Sequence, residues 1–472
     1  MVMGELPVEA EVLVIGGGPG GYAAAFHAAD LGLDVTLVTE EPQLGGVCLL
    51  RGCIPSKALL SLTELMAMAR AAAAQGIRFG EPTIDLEAVR AWKDKVVAQL
   101  ADGLAYLCAQ RDVRLVQARA TFSEVDTVHV DHAEAQRITF KHGIIATGSR
   151  PMPLPGTAFT DRIMDAGKAL ELEDIPPRLL VIGGSYVGLE LGQVYARLGS
   201  EVTLVEMTDR LLPHVDADLV QPLARRVQDL FAGVHLKTTV TALEQKKATV
   251  RVAFAGKAAP SHTTYDRVLV AIGRQPNTDH LGLEKAGVNI DAQGYVIVDQ
   301  QRRTTNARLL AIGDVAGGML LAHKAMHEGK VAAEVIAGQR VAFDARAMPA
   351  VVYTDPQIAW CGLTEHDAAV QHRPVKVARF PWQASGRAVS MGATEGCTKI
   401  VMDPASHGVL GMGVVGQHAE ALIAEGVLAV EMGAVAEDVA LTIHPHPTLS
   451  ETVGEAAEVL VGSATHVLPR KE

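Results

Sequence analysis

The chain has 472 residues, enough for two to four domains with separate cores. It is 49% hydrophobic and 20% charged, an ordinary globular balance that excludes a disordered or fibrous chain. The net charge of −12 argues against nucleic acid as a partner, and five cysteines over this length fit a reducing, cytoplasmic compartment rather than a disulfide framework.

The first apolar stretch, Val12 to Ala29, is broken by five glycines and a proline and follows acidic residues. It reads as strand, turn and helix, neither a signal peptide nor a membrane span. Gly16, Gly18 and Gly21 form a G-x-G-x-x-G fingerprint. Such glycines permit a tight turn and close approach of backbone to a pyrophosphate, which then faces the helix N-terminus. The following strand ends at Thr39, and Glu40 is expected to take the ribose contact through a one-residue slip.

Next comes Gly45-Gly46-Val47-Cys48-Leu49-Leu50-Arg51-Gly52-Cys53-Ile54-Pro55-Ser56-Lys57. Two thiols beside a nucleotide site form a two-electron store. In an ideal helix residues i and i+5 have Cα atoms about 8–9 Å apart, whereas a disulfide needs about 4.4–6.8 Å. Cys48 and Cys53 can therefore bridge only where the helix is broken, and Gly52 gives the backbone freedom for that. Lys57 follows Cys53 by one helical turn, where a cation helps hold a thiolate ionised. Cys108, Cys361 and Cys397 read as reduced, buried small residues.

The segment Leu180–Val205 repeats Leu13–Val38 without a gap. A single glycine fingerprint is weak evidence; two copies, each after an apolar strand and before a helix, are strong. The second copy carries Gly183 and Gly188, with Ser185 at the middle glycine position. A serine adds bulk where the pyrophosphate approaches, or offers its hydroxyl to a phosphate. Glu206 ends the second strand, placed to accept from a ribose 2′-OH, which favours NAD over NADP.

Two further apolar strands run into Ala146-Thr147-Gly148-Ser149-Arg150-Pro151 and Ala271-Ile272-Gly273-Arg274-Gln275-Pro276, read as exits from the nucleotide-binding domains. Asp314 closes another short strand, within reach of a cofactor hydroxyl chain. From Met348 onward no nucleotide motif recurs, and the pattern reads as a separate α+β domain. Ile443-His444-Pro445-His446-Pro447-Thr448-Leu449-Ser450-Glu451 supplies acid–base candidates. Histidine suits removal of a thiol proton near neutral pH. His446, next to a helix start, is preferred over His444. Glu451 orients the imidazole, caps the helix through Thr448-x-x-Glu451, or does both.

Together these motifs, with Tyr353-Thr354-Asp355-Pro356, resemble the dihydrolipoyl dehydrogenase family of flavin-dependent pyridine nucleotide–disulfide oxidoreductases, over essentially the whole chain. The resemblance implies an α/β fold with two Rossmann-like domains, for FAD at 1–149 and NAD at 150–274. A central domain at 275–347 would complete the FAD site, and an α+β dimerisation domain would occupy 348–472. Cys48 would be the interchange thiol and Cys53 the thiolate against the flavin. Lys57 would pair with Glu190 beside the flavin. His446 with Glu451 would be the base supplied by the other subunit of a homodimer.

The implied substrate is the dihydrolipoyl group of a lipoyl-bearing protein, in a 2-oxo acid dehydrogenase complex, the glycine cleavage system or another lipoyl carrier. No metal and no membrane partner is implied. Leu50 stands where the family usually has Asn, and Ser185 departs from its middle glycine. Glutathione-type reductases would need basic residues at Glu206 and Met207. Mercuric reductases would need a cysteine pair near the C-terminus, beyond Cys397.

Overall fold

The first fingerprint folds as a parallel βαβ unit: β1 (Val8–Ile15), α1 (Pro19–Asp30) and β2 (Val35–Thr39). Pro19 sits at the first helical position, where its missing N–H costs nothing. These features come from a computed structural model, which describes residues 8–131 and 137–468.

β1 also pairs in parallel with β3 (Arg137–Ile145). The antiparallel hairpin Ala120–Glu124 and Thr127–Val130 continues the sheet beyond the first half of β3. The second half of β3 takes the short strand Leu309–Ala311, far later in the chain, as a parallel neighbour. The register aligns Ile15 with Val38 and Ile145, and Ile145 with Ala311. Gly16, Thr39-Glu40, Ala146–Gly148 and Gly313-Asp314 therefore emerge from one carboxyl edge of one sheet, the edge where doubly wound sheets bind ligands.

The second repeat builds a second parallel sheet from β4 (Arg178–Ile182), α4 (Tyr186–Leu198, counting α2 and α3 below) and β5 (Glu201–Val205). Strand β6 (Arg267–Val270) lies on the other side of β4. Ile182 is level with Val205 and Val270, so Gly183, Glu206 and Ala271–Gly273 share a second carboxyl edge. Ser149–Pro151 and Arg274–Pro276 pair antiparallel where the chain passes into and out of this sheet.

Residues from Ala350 to Gly416 form a five-stranded antiparallel sheet. Helices Ala419–Met432 and α6 (Glu451–Val461) pack against it around Ile423, Val430, Val453 and Ala457. Over one face of the first sheet, against Val12, Val14, Leu37 and Ile144, α1 packs on α5 (Ala322–Ile336) through small residues. A Cβ on Gly329 would lie 2.6 Å from the Gly20 carbonyl oxygen. Among the described residues no helix is long and apolar enough to cross a membrane.

Candidate active site

The redox segment is two helices rather than one. α2 (Gly46–Arg51) stops at Gly52, and α3 (Cys53–Ala71) starts again immediately. Gly52 has φ −147° and ψ −110°, and a Cβ there would lie 2.7 Å from the Val47 carbonyl oxygen. The break brings the Cys48 and Cys53 Cα atoms to 4.7 Å, and the two sulfurs are bonded. The pair sits directly on the first fingerprint: a Cβ on Gly46 would lie 2.6 Å from the Gly18 Cα. Leu50 is half-buried beside Arg51, which pairs with Glu41.

Lys57, one turn into α3, donates to Glu190 Oε2 at 2.8 Å. Its ammonium also lies 4.4 Å from the centre of the Tyr353 ring, within cation–π range. Glu190 is 3% exposed and its Oε1 accepts from the Tyr353 N–H at 2.9 Å. A carboxylate this buried is stable only with such partners. Tyr353 carried no assigned role in the sequence, because nothing local reveals that it packs on a lysine nearly 300 positions earlier.

At the first carboxyl edge, Gly16 has φ +113°, and a Cβ there would lie 2.3 Å from the Ala146 carbonyl oxygen. Gly21 has room only for hydrogen against the Gly16 carbonyl. Gly18 caps α1 without a side-chain hydrogen bond, so the first N–H groups of the helix remain free for an anion. Gly148 has φ +70° with nothing within 4 Å of a Cβ position. Asp314 Oδ2 accepts from the Ser149 hydroxyl at 2.5 Å. Arg274 donates in turn to the Ser149 hydroxyl at 2.7 Å and carbonyl at 2.6 Å. The Gly313 N–H just before it is held at 2.7 Å by Glu328, a fully buried carboxylate also bonded to Lys324 and Arg302. Thr39 is buried under the turn, whereas Glu40 is exposed on the rim.

The second edge repeats this plan with different neighbours. Gly183 has φ +108° and approaches the Ala271 carbonyl; Gly188 approaches the Gly183 carbonyl. Ser185 donates its hydroxyl to the Ala271 carbonyl at 2.9 Å, so the hydroxyl is turned into the protein rather than toward an incoming phosphate. Glu206 accepts from the Gly184 N–H at 2.7 Å and the Thr208 N–H at 2.8 Å. A carboxylate has about four lone-pair sites, so these two amides leave about two unclaimed. Gly273 has φ +134° and open space beside it.

The two histidines separate clearly. His444 is half-buried against Glu425 at 2.7 Å, a bond that pushes its imidazole pKa up, and lies under Gly454. It is a packing residue. His446 is 74% exposed, with Nδ1 2.8 Å from Glu451 Oε1 and Nε2 directed outward. The Thr448 N–H donates to Glu451 Oε2 at 2.7 Å, while the Thr448 hydroxyl donates to the Pro445 carbonyl. Glu451 is the first helical residue and the N-cap is Ser450, which makes no side-chain cap bond, so the expected Thr448-x-x-Glu451 box does not cap the helix; Glu451 orients His446 and holds the Thr448 amide ahead of the helix. Burial alone would raise the Glu451 carboxyl; the Thr448 amide and His446 outweigh it and hold it below the usual range. Among the described residues no hydrogen bond or ion pair joins this dyad to the disulfide within one chain.

The chain resembles known proteins along its whole length. Residues 10–329 match the pyridine nucleotide–disulphide oxidoreductase family and residues 348–457 match its dimerisation domain. Dihydrolipoyl dehydrogenase of Vibrio cholerae is 47% identical over 461 residues, covering 97% of each chain. Dihydrolipoyl dehydrogenase of Geobacillus stearothermophilus is 43% identical, covering 100% of both. LpdA of Mycobacterium tuberculosis superposes with a TM-score of 0.88 at 26% identity, covering 96% of this chain and 99% of that one. With a closed dithiol pair on the first glycine turn and relatives this similar end to end, the chain belongs to the dihydrolipoyl dehydrogenases of the pyridine nucleotide–disulphide oxidoreductase family.

Proposed function

We propose that a homodimer of this chain oxidises the dihydrolipoyl group of a lipoyl-bearing protein in the cytoplasm and reduces NAD+. The observation that carries this reading is the Cys48–Cys53 bridge seated on the Gly18 turn, a thiol-exchangeable bond against a nucleotide edge. The carrier is a component of a 2-oxo acid dehydrogenase complex, the glycine cleavage system or another lipoyl system.

The residues fit the two cofactors that the family uses. Gly16, Gly18, Gly21, Glu40, Gly148 and Asp314 would hold FAD, with Lys57–Glu190 beside the flavin. Gly183, Gly188, Glu206 and Gly273 would hold NAD. The cradles are backbone that a Cβ would fill, and the uncapped N-terminus of α1 faces the first of them. Residues 1–149 and 150–274 then act as the two nucleotide domains, 275–347 completes the FAD site, and 348–472 joins the dimer.

The chain's own chemistry is thiol–disulfide exchange. One dihydrolipoyl thiol gives its proton to Nε2 of His446 of the partner subunit, whose Nδ1 is occupied by Glu451. The thiolate attacks the Cys48 sulfur; the Cys48–Cys53 bond breaks and Cys53 leaves as a thiolate. The second substrate thiol attacks the mixed disulfide, releasing oxidised lipoyl and reduced Cys48. Bound FAD supplies the route by which the electron pair reaches NAD+ as hydride.

The test is NAD+-dependent oxidation of dihydrolipoamide by the purified yellow protein, with NADP+ alongside and with Cys48→Ser. Turnover with NAD+ that vanishes in Cys48→Ser, while flavin stays bound, is expected. Full activity of the variant would sink the assigned chemistry.

A further inference from the structure

Glu190, Gln193 and Arg197 lie at i, i+3 and i+7 of α4, on one face of the helix. They are 3%, 0% and 6% exposed, so each needs a partner. All three find one in the strap Tyr353–Asp355, which joins the first two strands of the C-terminal sheet. Glu190 Oε1 accepts from the Tyr353 N–H at 2.9 Å. The Gln193 side chain accepts from the Asp355 N–H at 2.8 Å and donates to the Asp355 carbonyl at 3.1 Å. The Arg197 guanidinium donates to the Asp355 carboxylate. Seven residues of helix rise about 10 Å, so the strap is fixed to α4 at both ends.

The upper rung does more than fasten the strap. Glu190 turns its other oxygen to Lys57, and the Tyr353 ring lies against the same ammonium. Lysine is a point charge on a flexible stem, and 30% of its side chain is exposed here. It is fixed only because the carboxylate and the ring on either side of it are themselves fixed. Arg197 also opposes a rise of the Glu64 carboxyl, which burial and Asp355 drive; Glu64 lies on the redox helix α3, two turns after Lys57.

We infer that Gln193, Arg197 and Asp355 are positioning residues for the redox centre. They fix the strap, the strap fixes Glu190 and Tyr353, and these set the Lys57 ammonium. The inference rests on the proposed place of Lys57 beside the flavin. It ties the Tyr353–Asp355 strap to the redox helix through α4.

The experiment compares Arg197→Met, Asp355→Asn and Lys57→Met holoenzymes. The readouts are the thiolate–flavin charge-transfer absorbance of the two-electron-reduced protein, the Cys48–Cys53 potential in thiol redox buffers, and kcat and KM for dihydrolipoamide. Asp355→Asn keeps the Gln193 bonds and volume, and serves if Arg197→Met does not fold. The expected result is a changed band in all three, with kcat down about five-fold in the strap variants, the size of a coupling within one network. KM for dihydrolipoamide stays unchanged, and Arg197→Lys restores the band in part. If Lys57→Met alters the band and potential while the strap variants only lower Tm, the inference is overturned and the reading of Lys57 survives. If Lys57→Met leaves both unchanged, that reading falls and takes the inference with it.

Discussion

The two glycine turns are the same piece of backbone used twice, and their surroundings make them different sites. Gly16 and Gly183 have φ of +113° and +108°, and each approaches the carbonyl of the residue leaving the neighbouring strand, Ala146 or Ala271. The first turn is roofed by Gly46 and the disulfide helices, and its helix packs on α5 glycine against alanine. The second turn is covered instead by Leu211, whose side chain lies against Gly184, and by Leu212, whose N–H donates to the Gly184 carbonyl at 3.1 Å. Its N-cap is Ser185 rather than Gly18, its strand ends in a clamped Glu206 rather than Thr39, and its helix buries Glu190, Gln193 and Arg197. A local code of glycines makes a phosphate cradle. On the proposed assignment of FAD to the first cradle and NAD to the second, what covers each cradle is where the two sites differ.

The strongest test of that contrast is to add one methyl group to each turn. Gly16→Ala and Gly183→Ala each place a Cβ at a left-handed position against a carbonyl oxygen, costing about 2–4 kcal/mol. Gly16→Ala is expected to purify with its visible flavin absorbance lost and its melting temperature lowered. Gly183→Ala is expected to stay yellow, with KM for NAD+ raised about ten-fold, the equivalent of about 1.4 kcal/mol. Equal flavin loss from both would erase the division of labour.

Gly329→Ala probes the small-residue packing that belongs to the first copy alone. Its Cβ would meet the Gly20 carbonyl at 2.6 Å, and overpacking of this kind costs about 1–3 kcal/mol. Thermal unfolding should shift down, with the NAD+ KM untouched.

Glu206→Arg removes the acceptor of two backbone amides and places a cation at the strand end. The NAD+ to NADP+ preference should fall about ten-fold, and stability by about 1–3 kcal/mol. A lower melting temperature with unchanged preference would leave Glu206 as a turn clamp only. Ser185→Gly is the mildest change. It frees the Ala271 carbonyl and is expected to cost about 1 kcal/mol or less. Ser185→Ala separates the lost hydrogen bond from the lost bulk: equal NAD+ KM values in the two variants would show that bulk at this position does not limit the phosphates.

Much of the candidate site was legible because its signals are local. Glycine spacing, the Cys48–Cys53 pair and the His446–Glu451 spacing each lie within a few residues, and local backbone geometry forms them. Gly52 was readable as the break for the same reason. The orientation of the Ser185 hydroxyl was not, since its acceptor, Ala271, lies on a strand far along the chain. Ser149, Arg274 and Glu328 were missed as supports of Asp314 on the same ground.

By itself the sequence determined the two βαβ units, the dithiol pair beside the first and the dyad at the end, because hydrophobic period and glycine placement act over one or two turns of chain. Only tertiary structure decided which motifs share an edge, which histidine packs against Glu425, and which charges meet on α4. Those outcomes depend on sheet register and on burying polar groups with distant partners, and neither is encoded in any short stretch of residues.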